Sequence, residues 1–233
     1  MSLGLECSFE IDKVAAKDMW LLLSSARADV LPADLVCDLN GSAHPVRDVA
    51  NRLAGDKKRY FTVKCGSGPI DYGPLGAFGL SRLQISGCIR STEDACLWMD
   101  ALVLLPSFME GRLYEEEYEF WQNAKDPLEY KARNKPYDHL PMRSNGLPPP
   151  LEQSEIDTSA NPGRRLLRKG FIEAVGSPMW LGAEFLSLVN VSESDLRSKD
   201  WLHPEFLPPR VWKLSVQGSP FTSDEGGASE AAR

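Results

Sequence analysis

The chain has 233 residues, of which 42% are hydrophobic and 25% charged, and its net charge is −7. That length can bury a core without disulfides or a metal, and the acidic balance argues against a general binder of nucleic acid or of anionic membranes. Five widely spaced cysteines, Cys7, Cys37, Cys65, Cys88 and Cys96, form no C-x-x-C pair. They read as reduced, mostly buried thiols, and neither a structural zinc site nor any cofactor is expected. The first ten residues carry no basic segment followed by an apolar run, and the apolar runs Trp20 to Leu23 and Ala101 to Leu105 are too short to cross a bilayer. The expectation is a cytoplasmic protein.

In chain order, Leu5 to Ile11 alternates as a first strand, and Asp12 is placed to cap a helix through Val14, Ala15, Met19, Leu22 and Leu23. Asp29 to Asn40 reads as irregular, broken by Pro32 and Asn40-Gly41. A second helix is predicted from Pro45, with Val46, Val49 and Leu53 as its apolar stripe and Gly55 at its end. Arg59 to Cys65 is the strongest strand, rich in β-branched and aromatic residues. Gly66 to Gly79 reads as a glycine- and proline-rich loop, and Arg82 to Ser86 as another strand. Ser91-Thr-Glu-Asp94 resembles a capping segment for a helix that Pro106 stops.

Between Asp100 and Glu129 lies nearly all of the net charge: eight acids against Arg112 and Lys125. Its centre, Leu113-Tyr-Glu-Glu-Glu-Tyr-Glu-Phe-Trp121, interleaves acids with large aromatics. As one helix it would place Tyr114, Tyr118 and Trp121 on a shared face at i, i+4 and i+7, with Glu115, Glu116 and Glu119 toward the other side. Glu115 and Glu119 would repel there by about 0.2–0.5 kcal/mol. Such a surface suits a basic protein partner. The candidate partner-binding residues are therefore Glu115, Glu116, Glu117 and Glu119, with Tyr114, Tyr118 and Trp121 as anchoring area if exposed.

From Asp126 to Gly163 seven prolines interrupt regular structure, and the stretch reads as a long excursion within one domain. Leu166 to Val175 is a strand or short helix, Met179 to Val189 an apolar segment that should be buried, and Arg210 to Val216 a late strand. Trp180, Trp201 and Trp212 read as packing residues. Residues 217–233 read as a disordered tail. The fold expected is α+β: a single domain over 1–216, with a mixed or mostly antiparallel sheet packed by helices and a Pro-rich excursion at about 126–163.

No catalytic motif stands out. Gly66-Ser-Gly68 lacks the G-x-G-x-x-G spacing and any P-loop Lys-Ser/Thr pair. His44 and His203 each precede a proline and read as turn residues, Asp138-His139 sits in the excursion, and there is no G-x-S-x-G or H-E-x-x-H. Glu129-Tyr-Lys131 has the E-x-K spacing of metal-dependent nucleases but no suitable upstream Asp. The cluster Arg164, Arg165, Arg168 and Lys169 reads as a solvated or self-paired face.

The C-terminal pattern Val175-Gly-Ser-Pro-Met-Trp-Leu-Gly-Ala-Glu-Phe185, with Val211-Trp-Lys-Leu214 downstream, resembles bacterial polymorphic-toxin immunity proteins, in particular the immunity protein 52 family. The resemblance implies a cytoplasmic α+β protein without catalytic activity that binds a cognate toxin and blocks it. In that family the toxins include nucleases delivered by type VI secretion. An acidic inhibitor could occupy a nuclease's basic surface in place of phosphates. The alternatives are a metal-dependent or hydrolytic enzyme, and an effector chaperone or adaptor.

Overall fold

The computed structural model describes residues 2–66, 68–216 and 220–222. The architecture is α+β, built on one ten-stranded sheet. The sheet's central strand is β1 (Leu3–Glu10), flanked by β6 (Leu80–Ile89) and β7 (Phe108–Glu115). Outward from β6 come β5 (Gly68–Leu75), β4 (Phe61–Cys65), β2 (Val36–Leu39) and β3 (Ser42–Pro45). Outward from β7 come β12 (Met179–Gly182), β14 (Val211–Ser215) and the edge strand β13 (His203–Leu207). All the pairings among these strands are antiparallel. Each edge strand is short and carries a proline, Pro45 in β3 and Pro204 in β13.

Alternation along β1 decides the two layers. Leu3, Leu5, Cys7 and Phe9 point into the main core with α1 (Ala16–Ala26), α2 (Val46–Gly55) and α3 (Thr92–Leu102). Met19, Trp20 and Leu23 on α1 recur at helical spacing and are fully buried there, as are Val49 and Leu53 on α2. Trp20 stacks edge-on to Phe61 at 5.6 Å, and its indole N–H donates to the Val46 carbonyl. The other face of β1 carries Glu6 and Ser8, also buried. That face is covered by α4 (Glu116–Asn123), by the hairpin of β10 (Leu166–Arg168) and β11 (Phe171–Glu173), and by α6 (Ala183–Leu188) and α7 (Glu193–Arg197) toward β12–β14.

Several expectations change. Asp12 does not cap α1; its φ is +58° and its carboxylate pairs with Arg59, leaving Ala15 at the N-cap. The stretch expected to be irregular contributes β2, which turns at Asn40 (φ +51°) and Gly41 (φ +92°) into β3. The expected loop from Gly66 to Gly79 is mainly strand β5, because Ile70 and Tyr72 alternate into the core between β4 and β6. Ser67 lies outside the described residues, as does all of the expected disordered tail except 220–222. Ser91 caps α3 as expected, its hydroxyl accepting from Asp94 N–H at 3.2 Å. Trp180 and Trp212 are buried, but Trp201 is exposed.

The excursion is partly ordered. Asp126 caps the short helix α5 (Pro127–Ala132), and β8 (Met142–Ser144) pairs with β9 (Ser154–Ile156). Its return to the sheet passes tightly over β7: a Cβ on Gly176 would overlap the Leu113 carbonyl and press on the Arg112 side chain. Gly176→Ala should therefore lower stability by about 1–3 kcal/mol, read as a shifted urea midpoint with unchanged slope.

Candidate partner-binding site

The acidic segment is not one helix. Strand β7 runs through Tyr114 to Glu115, and α4 begins only at Glu116. The Phe108-Met-Glu-Gly-Arg-Leu-Tyr114 stretch is recruited into the sheet between β1 and β12, where its backbone groups are satisfied and both faces are buried. Tyr114 therefore lies on a strand, away from the face shared by Tyr118 and Trp121.

Each acid has its own local partner. Glu115 is the N-cap of α4 and accepts from the backbone N–H groups of Glu117 at 3.2 Å and Tyr118 at 2.6 Å. Negative charge at this helix terminus is favourable. Glu116 accepts from the Ser2 hydroxyl at 2.8 Å and Glu117 from Lys135 at 3.3 Å and the Trp121 indole at 3.1 Å. Glu119 points inward to Arg112. Tyr114 and Tyr118 are buried, and Trp121 is half-buried between Phe120 and Tyr130. Of the seven residues singled out from the sequence, Glu117 is exposed, Glu116, Glu119 and Trp121 are half-buried, and one Glu116 carboxylate oxygen is buried with no hydrogen bond.

Beneath α4 lies a charged layer that sequence reasoning missed. Glu6, 4% exposed in its side chain, accepts two hydrogen bonds from Arg112 at 2.9 and 3.1 Å and is forked by Arg165 at 2.7–3.1 Å. Arg112 also holds Glu119 at 2.6 and 2.8 Å, donates to the Val175 carbonyl at 3.1 Å and lies 4.6 Å over the Tyr114 ring. Burial alone would raise the Glu6 carboxyl, but the Arg112 charge and then the Arg165 fork overcome it and hold the group down at about 2. One step along β7, Glu110 has the opposite fate. Burial pushes its carboxyl up to about 7, although Ile172 N–H and the Ser8 hydroxyl donate to it at 2.5 and 3.1 Å. The period-2 pattern of Glu6 and Ser8 in β1 was the available signal for this layer.

The three arginines of the basic cluster are self-paired, Arg165 on Glu6, and Arg164 and Arg168 on Glu173, while Lys169 is exposed. Glu129 and Lys131 sit on the six-residue α5, and Asp138 and His139 are exposed in the excursion. Among the described residues no group of three or more His, Cys, Asp or Glu side chains is placed to hold a metal ion. No helix in them is long and apolar enough to cross a membrane. Burial raises the thiols of Cys7 and Cys65 far above their ordinary range, so neither is poised as a nucleophile.

No protein-family model matches the chain, and no match was found among curated proteins. Among solved structures the chain is similar in fold to the Pseudomonas aeruginosa T6SS protein PA0821. The TM-score is 0.55 and the sequence identity 12%, over 96% of this chain and 67% of that one.

The charged layer makes two measurable demands. Arg112→Ala leaves Glu6 with Arg165 alone and takes the arginine from Glu119, and should cost about 3–5 kcal/mol in chemical denaturation. Glu110 binds its proton more tightly when folded. The stability it contributes is full below the ordinary value of 4.5 and is lost as pH rises through about 7. At about 1.4 kcal/mol per pKa unit, the wild-type melting temperature should fall measurably between pH 5 and 8. Glu110→Gln should flatten that limb and leave the acid limb set by Glu6.

Proposed function

We propose that this chain is a non-catalytic immunity protein that binds and neutralises a T6SS effector, in particular a nuclease with a basic substrate surface. The observation that carries the reading is the fold likeness to a T6SS protein across 96% of the chain. The C-terminal resemblance to toxin-immunity proteins adds to it, on the residues Val175 to Phe185 and Val211 to Leu214, which form β12 with its approach, the first turn of α6 and most of β14.

The contact surface proposed is the solvent side of the α4 N-terminus. Glu117 offers an exposed carboxylate there and Glu116 one outer oxygen, while Glu115 caps the helix and Glu119 ties it to the sheet. The exposed carboxylates would steer a cationic partner and speed its capture, and the effect would weaken with salt. Tyr118 packs α4 inward, and Tyr114 lies buried on the sheet beneath Arg112.

The test is co-expression with the protein encoded by the adjacent gene, then co-purification and growth rescue. A stable complex with rescue is the expected result; a complex without rescue would make the chain a chaperone or adaptor. Within such a complex, Glu116→Lys/Glu117→Lys should weaken binding about tenfold at low salt and reduce its salt dependence. Unchanged affinity would move the interface elsewhere.

A further inference from the structure

The excursion ends in an arm that contributes little to any core and is nonetheless fixed in shape. Residues 141–154 are almost all exposed, yet β8 and β9 pair in register and the connection between them is closed by Asn145. The Asn145 side chain accepts from Leu147 N–H at 3.1 Å and Gln153 N–H at 3.2 Å, and donates to the Leu151 carbonyl at 3.0 Å. Leu151 N–H turns back to the Pro148 carbonyl at 3.0 Å. Arg143 ties the stem to Glu155 at 2.8 Å and to Asp157 at 3.4 Å. Three consecutive prolines restrict the tip further.

This scaffold presents an apolar surface. The tip reads Leu147-Pro-Pro-Pro-Leu151, with Leu147 and Leu151 at 50% and 63% exposure. Solvated tips are ordinarily built from polar turn residues. A tip with its backbone restrained before binding loses less entropy on binding. It is convex, so its complement is a cleft. The arm is rooted beside α4: Ile156 packs with Ala124 and Tyr130 against Phe120 and Trp121, and its N–H donates to the Lys125 carbonyl.

We propose that this arm inserts Leu147 and Leu151 into an apolar-floored cleft with a cationic rim on the protein partner, a contact that rests on the effector-binding reading above. The occupant is a protein cleft because of the charges around the tip. Glu152, Glu155 and Asp157 flank it against the single cation Arg143, which is already engaged by two of them. Such a rim repels phosphate, whether of nucleic acid or of anionic lipid, and the tip has no basic or aromatic residue of the kind that holds a membrane interface. A cleft that binds polyanions offers the complementary rim. Arm and α4 would then engage one partner, the arm holding it and the carboxylates of α4 steering it.

The experiment compares wild type, Leu147→Ser/Leu151→Ser and Glu116→Lys/Glu117→Lys, each co-expressed with the adjacent-gene product. The tip variant should keep the wild-type melting temperature, since its side chains are exposed, and lose at least tenfold in affinity through faster dissociation. In the wild-type complex, amide exchange over residues 143–154 should slow. A tip variant that binds like wild type, with no slowed exchange in the arm, overturns the insertion and leaves the effector-binding reading intact. No complex with wild type overturns both. Two further outcomes overturn the choice of occupant: tip-dependent binding to vesicles of phosphatidylcholine and phosphatidylglycerol, which would place the arm in a bilayer, and tip-dependent self-association, which would make the occupant a second copy.

Discussion

The pairing of Glu6 with Arg112 is the constraint from which the second layer of the molecule is built. Two adjacent strands place opposite charges on one face of a sheet whose other face is already committed to the main core. Once buried, neither charge can be left with a single partner, because desolvation would outweigh one ion pair. Arg112 therefore draws down Glu119 from α4 and the Val175 carbonyl, and Glu6 draws in Arg165 at the start of the hairpin. Three segments, at Glu119, Arg165 and Val175, thus converge on two side chains. The apolar clusters around Ile172 and Leu181, both packed against Phe185, continue that layer.

The neighbouring Glu110 shows how narrow the margin is. It faces the same layer as Glu6, from the adjacent strand β7, but gains no arginine of its own, only a backbone N–H and a hydroxyl. Two carboxylates a short distance apart thus rest at opposite ends of the carboxyl range, one about 2 and the other about 7. The difference lies in the number and charge of donors, since both are buried.

Much of the first layer was legible in the sequence. The apolar stripes of α1 and α2, the Ser91 cap and the strands around β1, β4, β6 and β14 arise from local patterning that tertiary contacts reinforce. The misread strands share one cause. Glycine and proline in β5, and acids in β7, argue against strands by propensity, yet both segments sit between two others where pairing and burial decide. Glu115 illustrates the point: its neighbours invited a helix, but it is the junction, the last residue of β7 and the cap of α4. The candidate site was legible only as composition. Which acids face solvent depends on Ser2, Arg112 and Lys135, and nothing in the local run names them.

The two edges of the sheet carry a consequence for recognition. An open ten-stranded sheet invites growth by addition of another strand, which would read a partner through its backbone. Here Pro45 sits in one edge strand and Pro204 in the other, with Pro208 and Pro209 just beyond, so backbone donors are missing where an incoming strand would pair. With both ends of the large sheet interrupted in this way, a partner of the kind proposed above would meet chiefly side chains there. Discrimination between such partners would then be open to substitution at the surface, with the sheet left as it is.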